Sequence, residues 1–137
     1  MNETKNLVML TLDNLGFNYE ERGVECVSFA VAGDNCSICV NVLCKEQTDL
    51  LGVYGTLLLL VPSDKRSEVL RLMNERNHRS KLTTLYFDPD DGQVLCRCGA
   101  FNYGGVLNDT VFQFMLSAVI NAIDEVYPEI VSICEGD

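Results

Sequence analysis

The stretch Val24-Glu25-Cys26-Val27-Ser28-Phe29-Ala30-Val31-Ala32-Gly33-Asp34-Asn35-Cys36-Ser37-Ile38-Cys39-Val40-Asn41-Val42-Leu43-Cys44 decides the fold. Successive side chains of a strand point to opposite faces. Val24 to Ala32 therefore sends Val27, Phe29 and Val31 one way and Cys26, Ser28, Ala30 and Ala32 the other. Gly33-Asp34-Asn35 is hairpin chemistry. Cys36 to Cys44 returns with Ile38, Val40, Val42 and Cys44 opposed to Cys39, Asn41 and Leu43. One face of this hairpin is bulky and the other is small.

Downstream, a loop from Lys45 to Gly52 leads to a strand from Val53 to Val61 that is apolar on both faces, as a central or doubly covered strand is. Pro62 stops it. Ser63 is placed to cap a helix running to about His78, with Asp64 near its positive end, Arg76 and Arg79 near its negative end, and Val69, Leu70 and Met73 buried. Asn74 and Asn77 share a face near its C-terminus, where amides can bond the last unpaired carbonyls. Leu82 to Asp88 and Gln93 to Phe101 read as strands joined by the turn Pro89-Asp90-Asp91-Gly92. Asn108 can cap a long helix to about Tyr127, whose wide apolar face spares only Gln113, Ser117, Asn121 and Asp124, and Pro128 ends it. Upstream, Glu3 to Leu15 reads as a helix carrying Leu7, Val8, Leu12 and Leu15, closed by Gly16 in a left-handed cap. Phe17 to Arg22 is a candidate short strand.

The order α-β-β-β-α-β-β-α predicts an α+β fold: a two-layer sandwich over residues 1–137 as one domain, with an antiparallel sheet of about five strands and helices on one face. The second face needs a cover, because Cys39, Leu43 and part of the Leu57 to Val61 run have nowhere else to go. Left exposed, they make the kind of apolar patch that marks an interface. Cys26, Ser28, Ala30, Ala32, Cys39, Asn41 and Leu43 are therefore the expected partner or dimer face.

The 137 residues are 47% hydrophobic and 22% charged, a globular balance rather than a disordered one. The net charge of −10 repels nucleic acid and anionic membrane surfaces. No apolar run nears the ~18 residues of a membrane span. The start, Met1 to Asn6, lacks the features of a secretory signal, so the expected compartment is the cytosol. Charge is uneven, however: Asp64 to Lys81 carries a local +3, leaving −13 on the rest. That basic helix is either a solvated face or a dock for an acidic segment of a partner or of a second copy.

Seven cysteines without a secretory signal point to reduced thiols. Cys36-Ser37-Ile38-Cys39 with Cys96-Arg97-Cys98 offers an alternative reading as a thiol-based metal-binding or redox protein. These stretches alternate like strands, though, and no helix begins at Cys36 to lower a thiol pKa. The single histidine, His78, stands at a helix end among basic neighbours, with nothing to pair it with a nucleophile. Asp88-Pro89-Asp90-Asp91-Gly92 breaks the calcium-loop pattern at Gly92. Gly104-Gly105 lacks any phosphate-loop signature, and Asp109 opposes an anion there. No enzyme, metal or cofactor is expected.

Val61-Pro62, Arg66, Val69-Leu70 and Leu72-Met73-Asn74-Glu75-Arg76-Asn77 resemble the YbjN family, described as bacterial sensory transduction regulators. Its members show a strand ending in Val-Pro and then a helix ending in Leu-Asn-x-x-Asn, and here Met73 replaces the commoner Leu. Leu15-Gly16-Phe17, the strand pair around Asp91-Gly92 and the closing Tyr127-Pro128 extend the match over almost the whole chain. The resemblance implies a fold like that of the secretion chaperones, which commonly form homodimers and bind protein segments. It implies no catalytic residues.

Overall fold

A computed structural model describes residues 2–88, 90–102 and 107–136. Helix α1 (Glu3–Leu15) is capped by the Asn2 side chain and closed by Gly16 at φ 79°, as the sequence predicts. Strands β1 (Glu20–Glu21), β2 (Cys26–Ala32), β3 (Ser37–Lys45), β4 (Leu50–Leu60), β5 (Thr84–Phe87) and β6 (Gln93–Phe101) form one antiparallel sheet in the order β1-β2-β3-β4-β6-β5. Helices α2 (Arg66–Arg79) and α3 (Asp109–Glu135) complete the fold. The α+β class and the element order agree with the sequence reading, and the sheet has six strands rather than five because Glu20–Glu21 pairs with β2. Lys5 of α1 fixes that short strand by an ion pair to Glu21 at 2.7 Å and a hydrogen bond to the Gly23 carbonyl.

All three helices contribute to one buried layer. Val8 and Leu12 of α1, Val69 and Met73 of α2, and Phe112, Val119 and Ile123 of α3 pack with Val27, Ile38, Val42, Leu51, Val53, Val94 and Cys96 of the sheet. α3 comes close to the sheet at Gly55, where any Cβ would meet Ile123 and Val119 at 2.7 and 2.8 Å. Only glycine lets α3 settle this low on β4. Among the described residues no helix is long and apolar enough to cross a membrane.

Several local expectations are corrected. β4 begins at Leu50, not Val53, because Leu50 to Gly52 pair with β3 on one side and with Phe101 to Gly99 on the other. Ser63 gives no side-chain cap: Ser63–Lys65 is a single 3₁₀ turn ahead of α2. Leu70 is 47% exposed rather than buried. Phe114 of α3 lies 69% in solvent, so that helix is less deeply covered than its composition suggests. Asn77 does not cap α2: its Nδ2 donates to the Leu85 carbonyl at 2.9 Å, and the Leu85 N–H donates to its Oδ1 at 2.8 Å. The side chain thus stands in for a neighbouring strand and covers the β5 edge.

The largest correction is Pro128, which lies inside α3 instead of ending it. Proline lacks the N–H that would bond the carbonyl four residues back, here that of Asp124. Asn35 fills the place, its Nδ2 donating to the Asp124 carbonyl at 3.0 Å. The Asp124 carboxylate in turn accepts the backbone N–H groups of Asp34, Asn35 and Cys36 at 3.1, 2.8 and 3.2 Å. One residue of the predicted polar stripe is therefore buried and ties the middle of α3 to the β2–β3 hairpin. Gly33 is part of this knot, since a Cβ there would lie 2.3 Å from an Asp124 oxygen.

The Asn35 N–H above all, with those of Asp34 and Cys36, holds the Asp124 carboxyl below its ordinary value of 3.8 against the opposing effect of burial. A depressed carboxyl stabilises the fold above its unfolded pKa and loses that contribution as pH falls through the folded value. Asp124→Asn is expected to lower the thermal midpoint at neutral pH. The gap to the native chain should close as pH drops below 3.8. A gap that stays constant across that range would contradict the assignment.

Candidate functional site

The helices leave the other face of the sheet open, and the strand registers fix what it displays. Five adjacent pairings set Glu20, Ser28, Asn41, Tyr54, Arg97 and Thr84 in one row across all six strands. The next row runs Ala30, Cys39, Thr56, Leu95 and Tyr86. On the other side of the first lie Cys26, Leu43, Gly52 and Gly99. Cys26, Ser28, Ala30, Ala32, Cys39, Asn41 and Leu43 are thus brought together on the helix-free side, none of them fully buried.

The two flanks of β3 differ. Toward β1, small side chains leave a hollow of about 710 Å³ lined by Tyr19, Glu20, Ser28, Ala30, Cys39 and Asn41. Ser28 Oγ is hydrogen-bonded to Asn41 Oδ1 on its floor. Toward β5, the surface rises in Tyr54, Leu95, Tyr86 and Arg97. The Arg97 guanidinium sits 5.3 Å from the centre of the Tyr86 ring, a cation–π contact. Among the described residues no carboxylate forms an ion pair with Arg97. At the far end of β4, Leu58 and Leu60 are 59% and 60% exposed, which are the residues of the Leu57 to Val61 run that need a cover.

The β4 and β6 contributions are the part that sequence reasoning did not assign. Val53 to Val61 is apolar in both phases except at Thr56, so alternation alone does not say which residues face out. Arg97 carried a usable signal: a charge between Cys96 and Cys98 has to point away from the core those two enter.

The paired cysteines do not converge. Cys96 and Cys98 are buried on the helix side, Cys39 lies on the opposite face, and Cys36 sits in the hairpin knot with Sγ 3.7 Å from Asp124. Burial pushes the Cys96 and Cys44 thiols up to about 12, and burial with the Asp124 charge pushes Cys36 up to about 11. Such thiols stay protonated and are poor ligands and nucleophiles.

His78 stands exposed in the last turn of α2. Asp88 and Asp91 spend carboxylate oxygens on the N–H groups of Asp90 and Gln93, an ordinary acidic turn. Gly104-Gly105 lies outside the described residues. In the basic segment, Arg76 pairs with Glu129 of α3, and Arg66 donates to the Val61 and Asp91 carbonyls. Two of its six basic side chains therefore brace the fold.

In dilute protein, below the association range, thiol labelling in mildly alkaline buffer should modify Cys39 and Cys26 ahead of Cys44 and Cys96, with all seven cysteines reacting after unfolding in urea. Labelling of Cys96 as fast as Cys39 would contradict this arrangement.

The fold has close counterparts among solved structures. YbjN from E. coli, described as "a putative transcription regulator", has a TM-score of 0.71 at 13% identity, covering 93% of this chain and 91% of that one. The ExsC-ExsE complex gives a TM-score of 0.63 at 18% identity, with 95% and 97% coverage. The Yersinia pestis type III secretion chaperone SycH, in complex with a fragment of YscM2, gives 0.55 at 15% identity, with 93% and 97% coverage. No curated protein matches the sequence. The family model described as "Putative bacterial sensory transduction regulator" matches residues 4–132, so the chain belongs to the YbjN family.

Proposed function

We propose that the chain is a non-enzymatic protein-binding module, homodimeric and regulatory or chaperone-like in role, with the helix-free sheet face as its contact surface. The observation that carries this reading is the open face itself: four long central strands packed by helices on one side only, with Leu58 and Leu60 more than half exposed on the other. A patch of this kind is the ordinary mark of a protein interface. Several structures that share the fold were solved with a protein partner bound, ExsE and the YscM2 fragment among them. The raised pKa of the core thiols and the solvent-facing position of His78 give catalysis no activated nucleophile to start from.

A charge placed at the small-residue centre of the face tests this. Ala30 is exposed, so Ala30→Arg leaves the core untouched. Immobilised native chain is expected to retain a protein from a bacterial extract that Ala30→Arg retains at least about tenfold less well, because a buried unpaired charge opposes association. Identical retention by both forms, or none by either, would count against the face.

A further inference from the structure

Next to the row of Tyr54 and Arg97, the open face lacks side chains on two adjacent strands, because Gly52 of β4 pairs with Gly99 of β6. The Tyr54 ring lies across Gly52, where any Cβ would meet it at 2.7 Å. Gly99 has room: a Cβ there would meet the Leu51 carbonyl oxygen at 3.7 Å and Leu50 Cδ1 at 3.9 Å, both ordinary contacts. The result is a recess of about 240 Å³ walled by Leu50, Tyr54, Leu82 and Arg97. Leu82 is 62% exposed. Small-molecule sites commonly run to about 300–1,000 Å³, so this recess is sized for one large side chain.

Arg97 supplies the charge in that lining, and no carboxylate shares it. The Tyr86 ring holds the guanidinium in place from 5.3 Å, and Arg97 forms no ion pair among the described residues. Lys45 stands beside Leu50 in the register of β3 and β4, and Lys81 precedes Leu82, both exposed. Against these three cations, the turn between β3 and β4 brings Glu46 and Asp49. Asp88, just past β5, spends a carboxylate oxygen on the Asp90 N–H. Glu20 and Arg22 pair with each other at the β1 edge, the opposite end of the strand order. The recess is therefore cationic on a chain of net charge −10.

Resting on the reading of this face as a protein interface, we infer that the recess anchors an acidic segment of a partner protein, with one large apolar side chain seated over Gly52 and Gly99 and a carboxylate on Arg97. A side chain that fills a pocket beside a charged contact is the usual form of an interface hot spot. The spacing of the two contacts is set by β6, where Arg97 and Gly99 are two residues and about 6.7 Å apart on one face. An extended partner segment laid along β6 has the same repeat, so its acid stands two residues from its apolar anchor.

Fluorescence anisotropy decides it, in dilute protein below the association range and at ~0.15 M salt, where the long-range field is screened within about 8 Å. The probe is a labelled peptide of Gly and Ser with a central Phe and a Glu two residues to either side. Its counterparts carry Lys for Glu, or Ala for Phe. The net charge of −10 favours the Lys peptide, so a preference for the Glu peptide has to arise at Arg97. The native chain should bind the Glu peptide at least about tenfold more tightly than either counterpart. Arg97→Glu should turn the preference toward Lys. Gly99→Leu should fill the recess and weaken the Glu peptide about tenfold or more, with circular dichroism unchanged. Equal affinity for the Glu and Lys peptides, no binding of the Glu peptide at ~1 mM, or undiminished binding by Gly99→Leu would overturn the inference. Dimerisation lost in Gly99→Leu while the native chain binds no peptide would give the recess to a second copy and overturn it as well. In each of these cases the extract comparison at Ala30 still judges the protein-binding face by itself.

Discussion

Every helix of this fold sits on the same face of the sheet, and the remaining architecture follows from that one-sidedness. Strand side chains alternate, so a six-stranded sheet presents two layers of comparable area. One layer, from Val27 through Val53 to Cys96, is sealed by α1, α2 and α3. The other is covered by none of the described helices, yet it carries Leu43, Leu58, Leu60, Tyr54 and Leu95 among small and polar residues. Burial of apolar area is worth about 25 cal/mol per Å². An open sheet face of this composition is therefore a standing source of association energy, and its charge and relief determine what can use it.

Three polar contacts hold the covered side in register. Asp124 grips the hairpin turn with its carboxylate, and Asn35 returns a bond to the carbonyl that Pro128 leaves free. Asn77 occupies the backbone of the β5 edge, and Lys5 draws β1 onto β2 through Glu21. Each closes a site where regular pairing stops: a hairpin tip, an edge strand and a two-residue strand. Their polar groups are spent within the fold on the covered side, which leaves the other face as the surface open to interaction.

Much of this was readable in the residues. The alternation of Val27, Phe29 and Val31 against Cys26, Ser28 and Ala30, and its mirror from Ile38 to Cys44, placed two strands and both their faces correctly. Glycine at 16 and asparagine at 108 marked helix ends through their own cap chemistry. What was hidden depended on partners distant in sequence. Pro128 reads as a stop because local rules charge it with a lost hydrogen bond, and only the fold brings Asn35 to restore it. Asn77 reads as a cap until β5 arrives beside it. Leu50 and Leu51 read as loop because their strand character comes from β3 and β6 on either side. On the open face, Arg97 and Glu20 are unrelated residues in sequence, and four registers are needed to see that they are equidistant from Asn41.

The central claim is that the helix-free layer is covered by association rather than by the chain itself. The alkylation rate of Cys39, measured against Cys134 on α3 in the same molecules over a wide range of protein concentration, tests it most directly. The account expects Cys39 to react more slowly, relative to Cys134, as concentration rises through the association range. A ratio that stays constant from the most dilute to the most concentrated sample would contradict it.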